Sequence, residues 1–309
     1  GRMNDPDFVE GMPMTDTGPV FPWDRLTSVS DYEVVDADLE HACDDTVAVW
    51  RPTIGWPGRQ EEVFRRYYLE YPFDEPELKF LRHVPTGEVV GTLGVAPRRV
   101  FWKGREIRAG MLSHFCVVAE HRKMRPPMFL FKSTIDASRG RYDVLYAMPS
   151  TQESAPHAMA LGRMATAGVT TAFKSRRVKV LRSAGYAARF LPKPLAAVAG
   201  GIIDSGLRCR DVLRGGVGGI NVRWADTVEP CMEEMWQATP RGEAWCAMRD
   251  AAMLRWRFDR LPAYGRRHLL VSESGAAGGD GLLAWFACAD NYHDRDILVV
   301  QDFWSKGGP

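Results

Sequence analysis

The stretch from Gly87 to Arg122 reads GEVVGTLGVAPRRVFWKGREIRAGMLSHFCVVAEHR, and it runs on through Lys123-Met124-Arg125-Pro126-Pro127. Its apolar residues come in runs rather than at helical spacing, which predicts strands. Val89–Phe101 and Ile107–Val118 read as two long strands joined by a tight turn at Lys103-Gly104. The second is largely apolar, as a strand inside a sheet would be. A charged loop then leads to a helix over 128–139, where Met128, Phe131 and Ile135 recur three and four apart. A further strand follows at 142–148. A helix that starts just after a strand offers unpaired N–H groups and the positive end of its dipole, which suits a phosphate or pyrophosphate.

Working outward, Tyr32–Val35 predicts a strand, Leu39–Trp50 and Glu61–Tyr71 two helices, and 78–84 another strand. Residues 1–30, with four prolines and little periodicity, read as an irregular arm. Beyond Met148, a helix is expected at His157–Ala167 and weaker strands at Val169–Phe173 and Val178–Leu181. The expected domains are 31–192 and 220–309, with 193–219 a connecting helix ending in the Gly-rich linker Gly215–Gly219. An internal echo joins them. Phe64-Arg65-Arg66-Tyr67-Tyr68-Leu69 precedes Tyr71-Pro72, strand, turn and strand, and Met253-Leu254-Arg255-Trp256-Arg257-Phe258 precedes Leu261-Pro262 and the same succession. The echo predicts that 220–309 repeats the element order of 32–118.

The 309 residues are 45% apolar and 26% charged, which excludes wholesale disorder. A net charge of +1 argues against a general nucleic-acid binder. Six cysteines without regular spacing make no disulfide framework, so a reduced, cytoplasmic setting is expected. No apolar run approaches the roughly 18 residues of a membrane span, and no transmembrane segment is expected. Gly1-Arg2 before Met3 reads as an expression remnant, and the stop at Pro309 soon after a strand as a missing last segment.

The order strand, Glu120-His121-Arg122, loop and helix resembles motif A of the GNAT superfamily of acyl-CoA-dependent acyltransferases. Upstream YYLEYP (67–72) and downstream LYAMPSTQES (145–154) and LGRMATAG (161–168) are similar in order and texture, so the resemblance covers roughly residues 31–182. Asp250–Arg257 also resembles double-domain members found near polysaccharide biosynthesis genes. The resemblance implies an α+β fold: a mixed, mostly antiparallel central sheet flanked by helices, with a second, partial GNAT-like unit. It implies acyl-CoA or acetyl-CoA as co-substrate, no metal, and a small-molecule acceptor such as a sugar, amino acid or lipid precursor.

Carried onto this sequence, the donor would meet Val117, Val118, Arg122, Lys123, Met124, Arg125 and Met128. The acceptor would meet Ser150, Gln152 and Ser154. His114 is the expected general base, because imidazole titrates in the right range. Tyr146 is the expected acid toward the leaving thiolate, and Glu153 a second base candidate. One departure stands out. The family loop is Arg/Gln-x-x-Gly-x-Gly/Ala, and the two small positions are here Arg125 and Pro127. Proline removes N–H donors from a phosphate site, while Arg122, Lys123 and Arg125 offer charge in their place. Two alternatives stay open: a silent binding module, or a transferase that uses an acyl carrier protein or aminoacyl-tRNA instead of CoA.

Overall fold

The structure is a computed structural model, and it describes residues 26–54, 60–123, 125–147, 179–181, 183–188, 190–213, 219–243, 245–259, 266–275, 281–289 and 297–308. The expected helix at 157–167 and strand at 169–173 lie outside them, as does nearly all of the expected 1–30 arm.

The chain opens with β1 (Tyr32–Asp36), α1 (Cys43–Thr53) and α2 (Gln60–Phe64), which runs into a wide π-turn over Arg65–Leu69. Helix α1 starts later than the periodicity suggests. The Asp38 carboxylate takes hydrogen bonds from the Glu40 amide and the His41 ring, holding that stretch as a turn. It also continues through Pro52, which stands in its last turn. Next come β2 (Glu77–His83), β3 (Glu88–Trp102), β4 (Arg105–Val117), a 3-10 turn at Ala119–His121, α3 (Arg125–Ser138) and β5 (Val144–Ala147). Prolines 126 and 127 sit inside the first turn of α3, where a missing N–H costs the helix nothing. The first sheet has the order β1-β2-β3-β4-β5. Its first four strands pair antiparallel, and β5 runs parallel to β4.

Two apolar layers cover this sheet. Leu81, Leu93 and Val117 pack against Met128, Leu130 and Phe131 of α3. On the opposite side Trp50 of α1 and Phe64 and Tyr68 of the α2 segment pack against Leu78, Phe80 and Cys116.

The remainder holds β6 (Lys179–Leu181), α4 (Ser183–Ala187), α5 (Lys193–Leu213), β7 (Ile220–Ala225), α6 (Pro230–Ala238), β8 (Cys246–Ala247), α7 (Ala251–Leu254) with a second π-turn over Arg255–Asp259, then β9 (Arg266–Glu273), β10 (Leu282–Ala289) and β11 (Ile297–Ser305). The second sheet has the order β6-β11-β10-β9-β7 and is antiparallel throughout. Its core gathers Trp236, Trp285 and Trp304 with Met232, Leu254 and Leu270. Strands β7, β9, β10 and β11 thus lie in the order of β1, β2, β3 and β4, and in both units a π-turn precedes the hairpin strands.

The two sheets exchange strands. The 179–181 stretch, read in sequence as part of the first unit, pairs with β11 of the second sheet. In return β8 pairs with Val100 and Phe101, where β3 outruns β2. The π-turns then meet back to back. Arg66 donates from Nε and Nη2 to the Trp256 carbonyl, and Trp256 Nε1 donates to the Arg66 carbonyl at 3.0 Å. Arg66 and Trp256 are each the second residue of their π-turn, so the contact is reciprocal between matching positions.

Helix α5, the expected connector, packs chiefly on α4 and leaves Leu195, Val198 and Ile202 exposed.

Candidate functional site

The site begins with a fault in β4. Gly94 pairs with Ser113 and Thr92 with Cys116, so His114 and Phe115 together oppose Leu93 alone. This is a β-bulge, a device that re-aims side chains next to functional sites. His114 takes the left-handed conformation, with φ of 56°, at a cost of about 1–3 kcal/mol for a residue with a side chain. Phe115 turns toward Phe131 of α3, its ring centroid 5.7 Å away. His114 turns to the other side, into an aromatic box.

In that box His114 Nδ1 lies 2.7 Å from the Tyr68 hydroxyl. The Trp50 ring is 4.7 Å away and Tyr67 stands edge-on at 5.0 Å. Gly94 leaves room for the Tyr68 hydroxyl, since a Cβ there would come within 2.1 Å of it. Burial, helped by the positive charge of Arg98, pushes the His114 pKa down to about 3. The ring is therefore neutral at ordinary pH.

Strand β5 pairs with β4 only from Ala109↔Val144 to Leu112↔Ala147. Past Leu112, β4 continues through the bulge to Val117, and among the described residues no strand pairs with it on that side. At its end, the Val118 amide donates to Val90 and Arg122 Nε donates to the Val117 carbonyl at 2.6 Å. Arg122, Lys123 and Arg125 are exposed around the start of α3. The structure thus gathers Val117, Val118 and the three cations in one place. Met128 is buried in the core beneath them. Met124, Ser150, Gln152, Glu153 and Ser154 lie outside the described residues.

Tyr146 pairs in register with Met111, upstream of the bulge. Its ring contacts Trp245 edge-on at 5.6 Å, and burial raises its pKa against the opposing pull of Arg98 and Arg257. It keeps its proton. Arg98 lies 4.8 Å from the Tyr71 ring centroid and 5.2 Å from that of Trp256, and those rings meet at 89°. The Tyr71 hydroxyl donates to the Pro97 carbonyl, and burial raises its pKa too. Tyr68, Tyr71, Arg98, Trp245 and Trp256 were not candidates on sequence. The repeated tyrosines of YYLEYP and the Trp256 echo were the only traces of them.

The wall holding Trp245 is fixed by the exchanged strand. The Lys103 amide donates to Glu243 at 3.0 Å and the Met248 amide to Arg99 at 3.1 Å, on either side of β8. Among the described residues no group of three or more His, Cys, Asp or Glu side chains could hold a metal. No described helix is long and apolar enough to cross a membrane.

No family model matches the chain, and no curated protein matches it. Solved structures do. A GCN5-related N-acetyltransferase from Anabaena variabilis matches 89% of this chain and 59% of its own, with a TM-score of 0.57 and 13% identity. A probable N-acyltransferase from Enterococcus faecalis matches 84% of this chain and 55% of its own, with a TM-score of 0.53 and 8% identity. Saccharomyces cerevisiae N-myristoyltransferase, solved with bound myristoyl-CoA, matches 90% and 63%, with a TM-score of 0.51 and 12% identity. The chain spans between about half and two thirds of the length of each. It has the GNAT fold: an α+β fold whose mixed, mostly antiparallel sheet is flanked by helices.

Proposed function

We propose that the chain is an acyltransferase that moves an acyl group from acyl-CoA to an amine or hydroxyl of a small acceptor. The observation that carries this reading is the opening beside β4, with the bulge at His114 on one side and the cationic start of α3 at its end. The pyrophosphate of the donor would meet Arg125 and Lys123, and the thioester would reach the bulge. The fit is in charge more than in backbone. Pro126 and Pro127 offer no N–H, so cationic side chains replace part of the usual helix-end nest. The acceptor nitrogen or oxygen attacks the thioester carbon, and the carbon–sulfur bond breaks. Tyr146, protonated, gives its proton to the leaving thiolate and regains one that the acceptor loses through water.

His114 suits positioning better than proton abstraction. An imidazole whose conjugate acid titrates near 3 is a weak base, and it is tied to Tyr68. Glu153 remains the candidate base. We further read the second unit as a repeat of the element order of the first, which supplies a wall of the acceptor cleft through Trp245. The cytoplasmic setting expected from the sequence belongs to this reading as well.

The test is thiol release from acetyl-CoA and longer acyl-CoAs against a panel of amines, with thermal shift as a second readout. Tyr146→Phe should lower kcat about a hundredfold or more while leaving CoA affinity unchanged. If CoA neither shifts the melting point nor is consumed, the CoA reading fails. The Pro126-Pro127 pair favours a second reading in that case, a binding module of the same fold without a donor site.

A further inference from the structure

Arginines around the second π-turn are mostly committed. Arg249 and Arg257 both pair with Asp302, at 3.0 and 2.5 Å. Arg66 bonds to backbone carbonyls, and Arg99 pairs with Glu106. Arg98 differs. Its hydrogen bond is to the neighbouring Pro97 carbonyl, from Nη1 at 2.9 Å. Among the described residues it pairs with no carboxylate; it also hydrogen-bonds the Tyr71 hydroxyl and lies against the rings of Tyr71 and Trp256. A half-buried guanidinium held in a corner of two perpendicular rings cannot swing away. What it has left to offer is its in-plane edge of N–H donors, the geometry that matches a planar carboxylate. Arg98 pairs with Ala109 and Ala109 with Val144, two residues before Tyr146, so Arg98 and the proposed acid lie on one face of the sheet, where they interact electrostatically.

We infer that Arg98, braced by Tyr71 and Trp256, is an anion-binding residue that recognises a carboxylate on the acceptor. The charge count favours a carboxylate over a phosphate: one guanidinium beside neutral phenols matches one negative charge. The walls add a second preference. Trp245, half-buried beside the Tyr146 ring, gives this face an apolar wall, so the carboxylate should sit on an apolar or aromatic frame, as in a hydrophobic amino acid. The inference rests on the acyl-transfer reading for the word acceptor, but the site can be tested without turnover.

The full chain is titrated with benzoate, benzamide and phenyl phosphate, with no acyl-CoA present, and binding is read by ligand-observed NMR. Benzoate should bind saturably, and benzamide at least about tenfold more weakly, because it cannot form the charge-assisted pair. Arg98→Met should weaken benzoate by a similar factor, and Arg98→Lys should fall between, keeping charge without the fork. Equal binding of benzoate and benzamide overturns the inference, whether or not the variants fold, and so does no binding of either. Tighter binding of phenyl phosphate overturns the choice of carboxylate, and unchanged benzoate binding in Arg98→Met overturns the choice of residue. Failure of the acyl-transfer reading looks different: benzoate binds as expected, yet no acyl-CoA is bound or consumed.

Discussion

At the scale of single residues, His114 makes acid stability measurable. Its folded pKa, about 3, lies below the ordinary value of 6.5. Between those values the unfolded chain binds a proton that the folded chain does not, so stability falls as pH drops through that window. The slope approaches about 1.4 kcal/mol per pH unit only well below pH 6.5, so moving from pH 6.5 to 5 should remove between about 1 and 2 kcal/mol. His114→Gln should lack that part of the loss, as read from urea midpoints at the two pH values. An equal loss in both proteins would show that the imidazole takes a proton in the folded state. Sequence reasoning found His114 but not its state. The bulge that turns it into the box of Trp50, Tyr67 and Tyr68 has no signature in Leu112-Ser113-His114-Phe115-Cys116, where no glycine marks the positive φ. Arg98 escaped for another reason. It reads as one of two adjacent strand arginines, and the rings that brace it arrive from Tyr71 and Trp256.

At the scale of elements, the first turn of α3 carries the sharpest conflict between local rule and expected task. Prolines suit a helix start and impoverish a phosphate site. Pro127→Ala restores one N–H beside the proposed pyrophosphate and should tighten CoA binding several-fold by calorimetry, up to about tenfold. An unchanged affinity would place the phosphates elsewhere. The strands were legible because β3 and β4 alternate or run apolar for many residues. The π-turns were not, because an extra residue per turn leaves no compositional mark. Nor was β8, whose two residues form a strand only because β3 outruns β2 and offers an edge. Gly94 marks the limit of what an alanine could replace. Its Cβ would meet the Tyr68 hydroxyl at 2.1 Å, so Gly94→Ala should cost about 1–3 kcal/mol and lower the melting point.

At the scale of the whole molecule, the echo between Phe64–Leu69 and Met253–Phe258 was visible in sequence, but not that the two segments face each other. Arg66 is buried and bonds to the carbonyls of Trp256 and Arg257. Arg66→Ala should remove about 2–4 kcal/mol. Because strands are exchanged both ways, unfolding should remain a single transition by both calorimetry and circular dichroism. Two separated melts would mean that the units are independent. The exchange also sets a timetable for the chain as it is made. Val100 and Phe101 of β3 leave the ribosome with that edge unclaimed, and their partners Cys246 and Ala247 follow about 145 residues later. At roughly 5–20 residues per second the wait lasts on the order of 7–30 s. Through that interval the long strand at the heart of the first sheet carries an open apolar end beside Trp102, a ready template for another nascent copy. Slowing synthesis of the second half should therefore lower the yield of folded protein, although every residue of the first sheet's own five strands has already been made.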